Sequence, residues 1–174
     1  MNVRSKILNA ALLITLVLIV DRLVKSWTLR TLTPVGNPGT EPVPGLLRFV
    51  YVENRGVAFG LFQNNSLLFA ILSTVIIIGM VWRGWSWFLQ ADLLARTSVA
   101  LIVAGGVGNI IDRVLYGFVV DMLHIIPLPI FQVFNIADLA ISFGAVLLFV
   151  SLWREDVRHR AALKRQTADD AGVQ

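Results

Sequence analysis

The chain has 174 residues, of which 56% are hydrophobic and only 15% charged, with a mean hydropathy of +0.74. Its length bounds it to about one domain, and its composition excludes an ordinary soluble globule, whose surface needs more charge. With a formal net charge of +4 and no cysteine, it is a basic chain in which disulfides, thiolate nucleophiles and Cys-ligated zinc are impossible.

The first apolar run, 7–20, reads "ILNAALLITLVLIV". With its flank it predicts a membrane span over about 7–25, since a helix needs about 20 residues to cross. Arg4 and Lys6 ahead of the run fit a cleavable signal peptide, but "DRLVKSW" follows where a small-residue cleavage site would stand. The run is therefore read as an uncleaved first span. Asp21 and Lys25 close it at an i,i+4 spacing that lets them pair on one helix face.

Residues 28–65 form the longest stretch outside the spans. "TPVGNPGTEPVPG" carries four prolines and three glycines and is loop. "LLRFVYVEN", 46–54, is rich in β-formers and predicts a short strand or strand pair. Asn54 and Gly56 then mark a turn. A small β platform on the membrane surface fits this region.

A second span is predicted over about 66–83, then a short connection over 83–96, then a third span over about 97–114. "AGGVGN", 104–109, lacks the GK[ST] of a phosphate loop; its small residues suit close helix packing. The third span ends with Asn109, Asp112 and Arg113. Neighbours on a helix do not face each other, so Asp112 and Arg113 each need a partner elsewhere. The connection 112–133 is mostly apolar, with Pro127 and Pro129 opposing a continuous helix. It is expected to lie along the interface or over the helix mouths, and it carries Asp121.

The fourth span, about 134–153, opens with Asn135 and Asp138. Asn135 fits a helix N-cap and Asp138 an acid in the first turn. Yet a carboxylate near hydrocarbon costs about 2.5–3.5 kcal/mol on insertion scales. The basic tail "WREDVRHRAALKR" suits anionic headgroups. Without aromatic interleaving it gives no reason to expect a nucleic-acid partner. Residues 166–174 are expected to be a flexible tail.

Four spans put both termini on one side. That side holds nine Lys and Arg residues and the other six, which favours cytoplasmic termini. The polar residues Asp21, Arg22, Lys25, Asn54, Asn109, Asp112, Arg113, Asp121, Asn135 and Asp138 then gather at the outer ends of the spans. Helix pairing and capping account for several of them. Asp121 is different: it lies in apolar sequence on a loop leading straight to the helix of Asp138. Two carboxyls in contact cannot easily both ionise, so one holds a proton. The charged member can take a proton from water while the protonated one polarises a carbonyl, a division of labour that hydrolyses an amide without metal or nucleophile. The two histidines, His124 and His159, form no HExxH zinc site. No serine is marked out as a partner for His124.

Five segments, in order, are "DRLVK" at 21–25, "NRGVAFG" at 54–60, "GNIIDR" at 108–113, "VVDM" at 119–122 and "FNIADLAI" at 134–141. In this order, on four spans, the chain resembles the bacterial lipoprotein signal peptidases (signal peptidase II), aspartic proteases of the inner membrane. Arg22 stands where the family more usually has Gln, and Met122 where it more often has Phe.

The resemblance implies a mainly α membrane protein: four transmembrane helices with a small extracytoplasmic β platform between helices 1 and 2. One membrane-embedded peptidase domain would cover 1–165. Asp121 and Asp138 would form the catalytic dyad. Asn54, Gly56, Asn109, Arg113 and Asn135 would line or brace the substrate site, with Asp21, Lys25 and Asp112 as support. The substrate would be a prolipoprotein whose cysteine carries a diacylglyceryl group, cut just before that cysteine by water, with no cofactor and no metal. The expected setting is the bacterial inner membrane, among lipid, as a monomer with its site on the periplasmic side. Two rivals stay open on the residues alone: a small proton-coupled carrier, and a scaffold whose polar groups only tie helices together.

Overall fold

The computed structural model describes residues 2–56, 65–128 and 133–172. Four helices, α1 (Val3–Thr31), α2 (Ser66–Gln90), α3 (Leu93–Tyr116) and α4 (Ile136–Gly172), are each long and apolar enough to cross a membrane. Their outward faces carry Leu12, Leu16, Ile71, Val75 and Phe149, all more than half exposed. Such a surface suits hydrocarbon rather than water. The interior holds the reverse: Asp21, Lys25, Thr28, Asn109, Asp112, Asp121 and Asn135 are all buried.

α3 is the central helix, packing on α1, α2 and α4. Its small residues make this possible. A Cβ built on Gly105 would lie 2.2 Å from the Ala137 carbonyl oxygen, and one on Gly108 would lie 3.0 Å from Asp21 Oδ2. The glycines thus admit the first turn of α4 and the polar end of α1 against α3, as the packing reading of "AGGVGN" expects. Asp92 N-caps α3, accepting from the Ala95 N–H at 2.8 Å, and accepts from Ser151 Oγ of α4 at 3.3 Å.

A three-stranded antiparallel sheet, order β1-β2-β3, covers one end of the bundle: β1 (Thr40–Val43), β2 (Leu47–Asn54) and β3 (Val119–Ile125). Gly117 ends α3 in the left-handed conformation (φ 77°), its N–H donating to the Arg113 carbonyl at 3.2 Å, so the chain turns into β3 within two residues. β3 pairs with β2 from Leu47↔Ile125 to Asn54↔Val119, with an irregularity between Phe49 and Val52. Leu32, Tyr51, Val120, Met122 and Leu123 form the apolar core beneath the sheet.

Several expectations change. The platform is not confined to the stretch between the first two helices. Its third strand comes from the connection between α3 and α4, so Asp121 sits on a strand. The spans run past their predicted limits: residues 28–31 remain in α1, and α2 and α3 are separated only by Ala91 and Asp92. α4 extends to Gly172, so residues 166–172 are helical. Residues 57–64 of the outer region, most of the "NRGVAFG" segment, and Pro129 lie outside the described residues.

Candidate active site

β3 fixes Asp121 and the start of α4 fixes Asp138. Phe134 ties the two elements together: Met122 N–H and Leu123 N–H both donate to its carbonyl, at 3.0 and 2.8 Å, and its own N–H donates to the Leu123 carbonyl at 3.0 Å. α4 therefore begins on the edge of β3, and the next residue, Asn135, enters the site.

Asn135 connects the two acids. Its Nδ2 donates to Asp121 Oδ1 at 2.6 Å and to Asn109 Oδ1 at 3.2 Å. Its Oδ1 accepts from the Asp138 backbone N–H at 2.9 Å, and its own N–H donates to Asp138 Oδ2 at 3.3 Å. That reciprocal pair is a capping box. The capping role and a place in the site therefore coexist in Asp138. Its other oxygen, Oδ1, accepts from Asn109 Nδ2 at 2.8 Å, while Asp121 Oδ2 accepts from Asn54 Nδ2 at 3.0 Å. All four carboxyl oxygens are thus held by amide N–H donors, and both side chains are fixed in place.

The two acids differ in surroundings. Asp121 is 1% exposed, whereas Asp138 is only half-buried and is the member water can reach. Burial, and then the neighbouring charge of Asp138, push the Asp121 carboxyl up to about 7 against the pull of its Asn54 and Asn135 hydrogen bonds and of Lys25.

Arg113 and Gly56 border the same site. Arg113 donates to the carbonyls of Asn109 (3.3 Å) and Gly56 (3.4 Å), and its buried Nε has no hydrogen-bond partner among the described residues. Gly56 N–H donates to Asn54 Oδ1 at 3.2 Å, aligning the Asn54 amide toward Asp121.

A second, deeper network stands behind Asn109. Lys25 is 1% exposed, its Nζ 2.8 Å from both Asp21 Oδ2 and Asp112 Oδ2, and it donates to Asn109 Oδ1 at 3.3 Å. Asp21 Oδ1 accepts from the Ala137 N–H at 3.0 Å and Asp112 Oδ2 from the Val120 N–H at 3.2 Å. These two acids thus grip the residues immediately before Asp138 and Asp121. Arg22 also pairs with Asp112, a contact sequence reasoning missed: the two residues are 90 positions apart. The Ala137 and Val120 anchors are backbone groups and leave no mark in the sequence.

Two carboxyls bridged by one asparagine at the end of a bundle of membrane-length helices, Asp121 buried and Asp138 half-buried, suit a membrane-embedded acid–base hydrolase. Comparison with known proteins agrees. A family profile described as "Signal peptidase (SPase) II" matches residues 13–154. The lipoprotein signal peptidase of Streptococcus pneumoniae is 35% identical over 147 residues, covering 84% of this chain and 94% of that protein. The one of Syntrophomonas wolfei is 41% identical over 135 residues, covering 78% and 86%. Two solved structures, described as a bacterial membrane enzyme determined by the in meso method at 2.3 and 1.9 Å resolution, superpose with TM-scores of 0.74 and 0.71 at 29% and 30% identity. They cover 85% and 83% of this chain, and 89% and 92% of theirs. The chain belongs to the signal peptidase II family: it is a peptidase and a multi-pass bacterial membrane protein. The carrier and scaffold readings are not favoured.

Proposed function

We propose that this protein removes signal peptides from diacylglyceryl-modified prolipoproteins, with Asp121 and Asp138 as the catalytic dyad. The observation that carries the assignment is the bridge through Asn135, which binds both carboxyls at once. Asp121, the shielded acid with the raised pKa, holds the shared proton and hydrogen-bonds the scissile carbonyl oxygen. Asp138, open to solvent, takes a proton from the attacking water. Oxygen adds to the carbonyl carbon as Asp121 gives its proton to the carbonyl oxygen, so the gem-diol is neutral and the dyad's proton now rests on Asp138. Collapse breaks the C–N bond, one carboxyl returning a proton to the leaving amine, so no acyl-enzyme forms. Asn109, Asn135 and Asn54 hold the carboxyls, and the free Nε of Arg113 supplies a donor for a substrate carbonyl.

The bias of nine Lys and Arg residues toward the end bearing the termini, against six at the dyad end, supports cytoplasmic termini and a site facing the periplasm. A site at the hydrocarbon edge suits a substrate whose diacylglyceryl chains stay in lipid while its amide meets water. The reading takes the protein as a monomer among membrane lipids, with no nucleic-acid partner. The test is cleavage of a lipidated precursor by purified protein in detergent. Asp121→Asn and Asp138→Asn should each lose at least about a thousandfold in rate while folding normally, the scale of a lost general acid or base. Near-normal turnover in either variant would remove that residue from the chemistry.

A further inference from the structure

The end of the bundle away from the dyad holds a feature that peptide hydrolysis does not use. Among the described residues α2 makes its substantial contacts with α3 alone, and beside it lies an almost wholly apolar cleft of about 450 Å³. Ile7, Ala11 and Ile14 of α1 face Gly84 and Phe88 of α2 across it, with Val103 of α3 as floor. At Ala10 and Ala100 the cleft adjoins a small recess lined by Lys6 and Arg96.

Both cations meet neutral groups. Lys6 Nζ donates to the Leu89 carbonyl and Arg96 Nη1 to the Ala91 carbonyl. These carbonyls lie at the C-terminal end of α2, so the contacts close that helix, but they leave two positive charges uncompensated. Among the described residues neither cation has a carboxylate within 4.0 Å. The nearest acid in sequence to Arg96, Asp92, accepts from the Ala95 N–H and Ser151 Oγ, and the cations acting on its carboxylate are Arg154 and Arg158.

We propose that this cleft binds one anionic phospholipid, with an acyl chain between α1 and α2 and the phosphate on Lys6 and Arg96. A dry apolar cleft offers water no partners, and leaving it empty forfeits the dispersion contacts of its lining, so in a bilayer hydrocarbon fills it. Charge selects which hydrocarbon. The apolar core of a substrate signal peptide would suit the walls, but the segment preceding that core is basic and is repelled by the two cations. A zwitterionic lipid fills the cleft without using them. An anionic headgroup satisfies both ends and braces α2, whose extensive packing among the described residues is on α3. The inference is independent of the dyad.

The test uses the full chain in a nonionic detergent, offered equimolar dioleoylphosphatidylglycerol and dioleoylphosphatidylcholine, with retained lipid read by native mass spectrometry. Wild type should retain one phosphatidylglycerol with at least about a tenfold preference, the scale two cations confer. Lys6→Met should keep a lipid and lose several-fold of that preference. Gly84→Leu should lose the bound lipid while keeping helix content and peptidase activity: a Cβ there meets nothing within 4 Å, so the added side chain extends into the cleft. Gly79 is equally open but outside the cleft, so Gly79→Leu should retain lipid as wild type does. Equal retention of the two lipids by wild type, undiminished retention in Gly84→Leu, or equal losses in both glycine variants would each overturn the proposal.

Discussion

Removing the ammonium of Lys25 while keeping its length, as in Lys25→Met, should destabilise the protein severely. The side chain is 1% exposed and sits between Asp21 (1%) and Asp112 (0%), 2.8 Å from each. With Arg22 the cluster holds two cations and two carboxylates; without Lys25 it holds an uncompensated buried negative charge. Breaking a buried ion pair from one side costs about 3–5 kcal/mol, and for a chain of this size that lowers the midpoint temperature by roughly 10 °C. The assay is thermal unfolding of the purified variant in one detergent, followed by helix circular dichroism. The control is the double variant Asp21→Asn with Lys25→Met. It deletes the stranded charge, leaves Asp112 paired with Arg22, and keeps an amide oxygen to accept from the Ala137 N–H, so it should be more stable than Lys25→Met alone by about 1–3 kcal/mol. If the double variant is no more stable than the single one, stranded charge is not what Lys25 prevents, and the cluster does not organise this end of the bundle as argued.

Four further outcomes follow from the same geometry. Asp121 has its folded-state pKa raised from 3.8 to about 7, so the folded protein binds the extra proton between those values and stability should fall as pH rises from about 4 to about 7. In Asp138→Asn, which removes the neighbouring charge that raises it, that fall should end at a lower pH. If the dyad works with one shared proton, the rate on a lipidated precursor should decline on the alkaline side from about pH 7, read as kcat/KM against pH. Asn135→Ala should lower the rate by about a hundredfold or more and stability by about 1–2 kcal/mol, the cost of a lost N-cap, measured by cleavage and by thermal unfolding. Gly105→Ala should lower the midpoint temperature, because its Cβ would sit 2.2 Å from the Ala137 carbonyl oxygen and push the first turn of α4 off α3, whereas Gly84→Ala, with open space, should not.

The helices were legible because hydropathy is a local property: each span carries its own run of apolar residues. Their ends were not. Residues 28–31 and 166–172 are polar enough to read as loop and tail, yet both continue helices begun in hydrocarbon. The strand bearing Asp121 was missed for a different reason. "VVDMLHI" shows no alternation, since its first five residues are buried irrespective of face, and it earns its assignment only by pairing with β2, far away in sequence. The acids and amides of the site stood out as polar groups at apolar helix ends. What joins them did not: the Val120 and Ala137 N–H groups are of a kind every residue but proline possesses, and the Arg22–Asp112 pair spans 90 positions.

These unseen contacts explain how the proposed catalytic pair is held to fixed geometry at the edge of a fluid membrane. Asp121 and Asp138 stand on different elements, a strand and a helix, which could slide independently. Each is gripped one residue upstream: Val120 by Asp112, and Ala137 by Asp21. The two gripping acids share one cation, Lys25, which also reaches Asn109 and through it Asp138. The glycines of α3 bring these groups close enough to touch. On the proposed mechanism the buried ions serve as the mount on which the two dyad carboxyls are aligned, and that requirement would account for a chain that otherwise avoids charge keeping Asp21, Lys25 and Asp112 where burial is most costly.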